Sequence, residues 1–349
     1  MSHFLRYIKL NIKGIRRLTK LAMFYMPFIM RPEQIQIDIT DRCNYRCPTC
    51  SKWHQKSSKN ELTTDQWKKF LIASANLPFS KRVVFGGGEP LLRPDLLELV
   101  HHASKLKLKT IIISNGSLLT MPRLKQLQDA GLDYLMVSLN ALNADVHNET
   151  RGTRGSFNHI MRLIEDYSLL KNTMHMGLSS IIMKNNMDQL LPLVRFVMEH
   201  KLHGIMFQTY MDDAVHHPFQ GKYQKFRDIE WYKTNKYLID NCNRLDKIID
   251  TLLHQQLQGV NILNPPHQLR AMKAYYRNPI QYDKIPCVAG TTGFIVDAYG
   301  NVRICFGLPP LGNILYQDPL KIWKSTKAMH IRKQVNICQR SCRIMNHIY

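Results

Sequence analysis

The stretch IQIDITDRCNYRCPTC, residues 35–50, carries two signals in one line. Its first six residues alternate apolar and polar, the period of a strand with one face buried. The strand runs directly into Cys43, Cys47 and Cys50, spaced C-x3-C-x2-C. Three thiolates on one tight loop suit three corners of a 4Fe–4S cubane, and leave one iron without a protein ligand. An open iron is a place for a small molecule to bind.

Working outward from that loop, the pattern repeats. RVVFGGGEP (82–90) reads as a strand ending in glycines, KTIIISNG (109–116) as a strand, and DYLMVSLN (133–140) as another. MGLSSIIMKNN (176–186) and IMFQTY (205–210) complete a set of six. Helical periodicity separates several of them: LELVHHASKLKL, MPRLKQLQDAG, FNHIMRLIEDYSLLKN and LPLVRFVMEHKLHG. Strands alternating with helices predict parallel βαβ units and an α/β barrel or partial barrel. In such folds the chemistry sits at the carboxyl ends of the strands. The cysteine loop, the glycine turn, Asn115 and Asn140 all fall there and are expected to share one mouth.

Composition excludes other classes. With 349 residues, 44% hydrophobic and 21% charged, the chain has enough apolar surface for a packed core and is not a disordered segment. No secretory signal precedes the eight cysteines, so clustered cysteines read as metal ligands rather than disulfides. No run of roughly 18 apolar residues occurs, so no spanning helix is expected. The net charge of +22 points to an acidic substrate or partner, or to a solvated basic surface. Nothing indicates sequence-specific nucleic-acid binding.

Residues 3–31 hold Arg6, Lys9, Lys13, Arg16, Arg17, Lys20 and Arg31 and no acid. Leu5, Ile8, Ile12, Ile15, Leu18 and Ala22 recur at helical spacing. This predicts an amphipathic helix that packs on the protein or, through residues 3–26, rests on an anionic membrane surface. The location expected is cytoplasmic, at the inner membrane face if that helix binds lipid. About 32 residues precede the first strand, fewer than a folded leader-binding domain needs, which speaks against a leader-guided peptide substrate.

The cysteine triad and GGGEP together resemble the radical S-adenosylmethionine (SAM) superfamily, over roughly residues 33–215. The resemblance implies a partial (β/α)6 TIM-like barrel. It implies that Cys43, Cys47 and Cys50 hold a 4Fe–4S cluster whose fourth iron is chelated by SAM. It further implies that Gly87, Gly88 and Glu89 hold the SAM amino group, and that Ser114, Asn115, Ser138 and Asn140 face its ribose and methionyl parts. Arg151 would pair with the SAM carboxylate, a role that suits a planar guanidinium. Thr49 departs from the aromatic residue many members carry before the third cysteine. The chemistry implied is reductive cleavage of SAM and hydrogen abstraction from an unactivated C–H, with a flavodoxin- or ferredoxin-type electron donor.

CVAGTTGFIVDAYGNVRIC (287–305) resembles the opening of the SPASM/Twitch extension that follows many such cores. Cys287, Cys305, Cys338 and Cys342 would then ligate a second, auxiliary 4Fe–4S cluster, with His347 an extra candidate. The same four thiolates also suit structural zinc. Cys242 reads as a small buried hydrophobe, Gln208 as a substrate contact, and His101, His102, His216 and His217 as surface or packing residues.

The expected organisation is a basic amphipathic segment (1–32), a radical SAM core (33–215), a helical linker (216–266) and a small auxiliary-cluster domain of hairpin and helix (267–349). The expected substrate is an anionic, lipid-linked or sugar-type metabolite. A peptide or protein is the alternative within the same chemistry. An iron–sulfur electron carrier or scaffold is the alternative of another class.

Overall fold

The computed structural model describes residues 34–50, 52–54, 60–77, 81–171, 173–210, 235–279 and 289–338, with Pro32 and Cys287. The basic segment before the first strand, the loop at 212–224, Cys342 and His347 lie outside the described residues.

Parallel strands follow in chain order: β1 (Gln34–Thr40), β2 (Arg82–Gly87), β3 (Lys109–Ser114), β4 (Tyr134–Ser138), β5 (His175–Ile182) and β6 (Ile205–Thr209). The crossovers carry α1 (Thr64–Ala75), α2 (Leu96–Lys105), α3 (Met121–Asp129), α4 (Ala144–Arg151), α5 (Ser156–Ser168) and α6 (Leu190–Glu199). After β6 come α7 (Cys242–Leu257) and α8 (Pro266–Arg277). A short turn of helix, α9 (Ala289–Thr292), leads into β7 (Gly293–Val296).

β7 pairs in parallel with β1, Gln34 opposite Gly293 and Ile37 opposite Val296. β8 (Asn301–Arg303) and β9 (Gly312–Asn313) extend it antiparallel. One nine-stranded sheet results, ordered β6-β5-β4-β3-β2-β1-β7-β8-β9. It is open, a partial barrel with the C-terminal hairpin added to the edge of β1. Helices α10 (Pro319–Lys324) and α11 (Thr326–Ile337) end the described chain.

The alternation in β1 explains how one strand serves two surfaces. Ile35, Ile37 and Ile39 are fully buried in the core between sheet and helices. Gln36 and Asp38, on the opposite face, line the barrel interior. Core packing continues on the helical side through Trp67, Phe70, Leu99 and Phe294, with Phe70 and Phe294 stacked at 6.2 Å between centroids.

Local chemistry sets the helix ends. Thr63 and Gln66 form a reciprocal capping box at α1. Asn143 caps α4, accepting from Val146 N at 3.0 Å, and Gly152 ends it at φ +59°. Two helix starts mark the stretch after β6. α7 begins at Cys242, so this cysteine opens a helix. The Pro-Pro pair at 265–266 starts α8, because proline costs nothing where the first helical N–H is unpaired anyway.

Candidate active site

The loop from Asp41 to Cys50 is clamped by backbone contacts on several sides. Gly88 N donates to Thr40 O and Glu89 N to Arg42 O, each at 2.8 Å. Trp53 Nε1 donates to Cys47 O at 2.9 Å. From beneath, buried Arg93 donates to Ile39 O at 3.2 Å and to Leu62 O at 3.0 Å, while its Nε and Nη2 grip both oxygens of Asp95.

The glycines divide their work. A Cβ on Gly88 would stand 2.1 Å from Arg42 O, and one on Gly87 2.4 Å from Thr40 O. Both are therefore required by the cysteine loop itself, which has to lie against the end of β2. Gly152 plays the same part on the far side, where a Cβ would meet Arg46 O at 2.2 Å. Gly86 differs: nothing lies within 4 Å of its Cβ position, and it faces the cavity.

That cavity, about 520 Å³, gathers most of the sequence candidates. Cys43, Cys47 and Cys50 line it together with Gly87, Gly88, Ser114, Asn115, Ser138, Arg151 and Gln208. Thr49 lines it as well. Asn115 Nδ2 lies 3.9 Å from Cys43 Sγ and donates to Asn44 Oδ1 at 3.0 Å. Cys47 Sγ donates to Arg151 O at 3.4 Å. Burial pushes the Cys43 thiol up.

Two of the candidates stand behind the wall. Glu89 is fully buried and accepts from Leu91 N at 3.1 Å, Ser114 Oγ at 2.9 Å and Asn115 N at 2.7 Å. Burial raises its carboxyl above the usual range, and those three donors oppose the shift. Its work in this fold is to tie the end of β3 to the end of β2. Asn140 likewise spends its side chain on Thr150 Oγ1 and Ile181 N, while its backbone N–H donates to His147 Nδ1 at 3.2 Å. Burial, followed by the charge of Arg151, holds His147 down to about 3, so this ring stays neutral.

Sequence reading missed the two other walls. On one, Lys52 Nζ bridges Asp38 Oδ2 at 2.9 Å and Asp41 Oδ1 at 3.0 Å. Burial works against that ammonium, but the two carboxylates outweigh it and raise Lys52 well above its ordinary value. The polar positions of β1 were the available signal. On the other wall stand Asp297, Tyr299, Asn301, Arg303 and Phe306 of the C-terminal hairpin. Asp297 accepts from Tyr299 N and Asn301 N, which folds the turn. Burial lowers the Arg303 guanidinium, partly offset by Asp297 and Cys305. Cys305 sits between Arg303 and Phe306 in the chain, so the second cysteine set adjoins this wall.

The donor set fits a cubane and SAM. Three thiolates face one cavity, yet among the described residues no three such side chains converge on a single metal ion. A cubane spreads its thiolates over separate irons. Arg151 Nε is buried without a hydrogen-bond partner, as a site awaiting a carboxylate requires. The open space over Gly86 supplies room beside it.

Comparison with known proteins agrees. Residues 37–197 match the radical SAM superfamily and residues 287–343 an iron–sulfur cluster-binding domain known as SPASM. An AdoMet-dependent heme synthase of Methanosarcina barkeri is 25% identical over 330 residues, 90% of this chain and 89% of that protein. A PqqA peptide cyclase of Bradyrhizobium diazoefficiens is 40% identical over 126 residues, 36% of this chain and 33% of that one. Among solved structures, Streptococcus suis SuiB bound to precursor peptide SuiA aligns with a TM-score of 0.69 at 19% identity, over 95% of this chain and 76% of that one. The AdoMet-bound structure of anSMEcpe aligns at 0.63 and 17% identity, over 88% and 84%.

Proposed function

The chain is a radical SAM enzyme with a SPASM extension, binding SAM and iron–sulfur clusters, and from that premise we propose that it activates a C–H bond at the reacting end of a larger substrate. Membership sets aside the electron-carrier alternative, and the SPASM match favours a cluster over zinc at the second cysteine set. Cys43, Cys47 and Cys50 would hold the SAM-binding cluster, and Cys287, Cys305, Cys338 and Cys342 the auxiliary one. The chemistry supplied when cluster and SAM are bound is one-electron cleavage of a sulfonium C–S bond and hydrogen abstraction.

The chain's own residues prepare that chemistry. Arg151 binds and orients the SAM carboxylate through its unpartnered Nε. Glu89 fixes Ser114 and Asn115, and so holds the Asn115 amide against Cys43. Gly87, Gly88 and Ser138 complete the cradle, Gly86 leaves it room, and the hairpin wall shields it from water.

The observation that carries the substrate reading is the cavity volume of about 520 Å³. A pocket of roughly 300–1,000 Å³ holds one drug-sized ligand, and SAM is such a ligand. Only the tip of a substrate then enters, between Gln208 on β6 and Tyr299, Arg303 and Phe306 on the hairpin. A peptide presenting one side chain meets that condition. The likeness to a PqqA peptide cyclase supports the peptide reading. A second reading, an anionic lipid-linked or sugar-type substrate, is supported by Arg303 in the wall and the charge of +22.

The test is 5′-deoxyadenosine release under anaerobic reduction. The iron-loaded protein is given SAM and either peptides encoded beside its gene or nucleotide sugars and polyprenyl-phosphate sugars. Stimulated release and a mass change in the peptide support the first reading. Stimulation by the anionic sugars alone would transfer the assignment to the second. No release from fully loaded protein sinks both.

A further inference from the structure

Arg303 lies on β8, and strand register fixes which side of the sheet it serves. Its neighbour Val302 is fully buried in the core on the other face. Ile295 of β7 stands opposite Arg303, and Gln36 of β1 stands opposite Ile295. Arg303 and Gln36 thus share one row across the sheet, and both line the cavity. Adjacent strands lie about 4.8 Å apart, so roughly 10 Å separates the two backbones. That row is two residues below Asp38 on the strand that runs into the cysteine loop. A group held by Arg303 therefore sits within the barrel and not on its rim.

The cations of this cavity are unequally engaged. Lys52 bridges Asp38 and Asp41. Arg151 keeps an unpartnered Nε for the SAM carboxylate. Arg303 is half-buried, donates Nη1 to Leu308 O at 3.0 Å and, among the described residues, forms no salt bridge. Asp297 is close enough to act on it by charge. That carboxylate, however, accepts from Tyr299 N, Asn301 N and Asn301 Nδ2 at 2.9–3.2 Å. Once the wall has paired its own charges, one cation remains that SAM does not claim either. A half-buried guanidinium is costly to keep in a cavity unless an anion meets it there.

We infer that Arg303 is a specificity-determining residue that takes the carboxylate of an acidic side chain on a peptide substrate. The inference rests on the peptide reading above and deepens it. With Nη1 committed to Leu308, the Nε–Nη2 edge remains, a planar pair of donors that matches a carboxylate. One uncommitted cation balances a monoanion. A phosphate monoester carries about −1.5 to −2 and would face Asp297 as well. A glutamate-type side chain also meets the size condition, because its carboxylate ends a slender stem that enters beside SAM.

The test uses the full chain loaded with iron and SAM, and two probes of nearly the same shape: N-acetylglutamate α-amide and N-acetylglutamine α-amide. Their binding is titrated by ligand-observed NMR. The acid is expected to bind about tenfold more tightly than the amide. Arg303→Met should erase that ratio. Arg303→Lys, which keeps the charge and loses the planar fork, should recover part of it. Equal binding of the two probes to the wild-type chain overturns the inference with no variant needed. A ratio that survives in Arg303→Met overturns it too, and leaves Arg303 a brace for Leu308. Glucose 1-phosphate is the third probe. Tighter binding than the acid, lost in Arg303→Met, would overturn the carboxylate assignment in favour of phosphate.

Turnover separates this inference from the reading beneath it. Peptides that stimulate 5′-deoxyadenosine release equally with glutamate or glutamine at the modified position would remove the role of Arg303 and leave the peptide reading standing. Preference for the acidic probe with no peptide turned over would sink the peptide reading and with it the substrate named here.

Discussion

Arg93 and Arg332 are sealed to nearly the same degree, 8% and 5% exposed, and the fold treats them in opposite ways. Arg93 lies under the N-terminal cysteine loop with both oxygens of Asp95 and two backbone carbonyls on its guanidinium. Arg332 lies on α11 with one carbonyl, a ring face and two unpartnered nitrogens. The first region is organised by the protein. Its three cysteines sit on one short loop, fixed by Gly88, Gly152, Trp53 and Arg93. The second draws its cysteines from separate segments of the chain, and its arginine carries no such set of partners. A pre-formed site has to receive a cofactor that turns over, since SAM enters and leaves.

The widest gap between the regions is expected from Arg93→Met. It strands Asp95 without its cation and leaves partly buried Glu61 with Arg42 alone, which costs about 3–5 kcal/mol. The loss should be equal with and without iron, as measured by denaturant unfolding. If it vanished in the stripped chain, Arg93 would be serving the cluster and not the loop.

Gly88→Ala comes next. A Cβ at 2.1 Å from Arg42 O has to displace the loop, at about 1–3 kcal/mol. SAM cleavage should disappear while the auxiliary cluster stays loaded, seen as half the iron of the parent. Gly86→Ala is the matched control. Its Cβ meets no protein atom, so stability should hold and only the KM for SAM should rise. Equal stability losses in the two alanine variants would remove the distinction between scaffold glycine and cavity glycine.

An effect nearly absent at neutral pH tests the N-terminal region in acid. His147 is held neutral, with a pKa near 3 in the fold against 6.5 unfolded. It binds a proton only on unfolding, so stability rises with pH between about 3 and 6.5 and is flat above that window. The slope contributed is at most about 1.4 kcal/mol per pH unit. His147→Asn, whose Oδ1 can replace Nδ1 as acceptor for Asn140 N, should flatten it. An unchanged slope would place the acid sensitivity elsewhere. Smallest of all is Cys242→Ala. This thiol donates to Tyr276 O at 3.4 Å at the start of α7 and lies in neither region. SAM cleavage and iron content should not move.

Much of the barrel was legible because its signals are local. The period of IQIDIT, the cysteine spacing and the glycines at the end of β2 each sit within a few residues of what they determine. The helical crossover α1, although it opens with a capping box and buries Trp67, Phe70 and Leu71 at helical spacing, passed unmarked. What stayed hidden depends on contacts between distant parts of the chain. Glu89 and Asn140 have the composition of ligand contacts, but their hydrogen bonds go to protein partners on neighbouring strands. Asp297, Tyr299 and Arg303 reach the cavity only because β7 pairs with β1, and no nearby residue announces that pairing. Lys52 follows the third cysteine by two positions, yet its role appears only once Asp38 and Asp41 are seen to face it.

The parallel pairing of β1 with β7 also has a consequence in time. β1 emerges early from the ribosome, while the partner for one of its edges lies roughly 250 residues further on. At about 5–20 residues per second, that edge waits on the order of 10–50 s for its neighbour. During the wait it offers unpaired backbone groups to any passing strand. Overproduction at lower temperature or with chaperones is therefore expected to raise the yield of soluble chain. Iron delivered before translation ends would meet Cys43, Cys47 and Cys50 beside a wall not yet built.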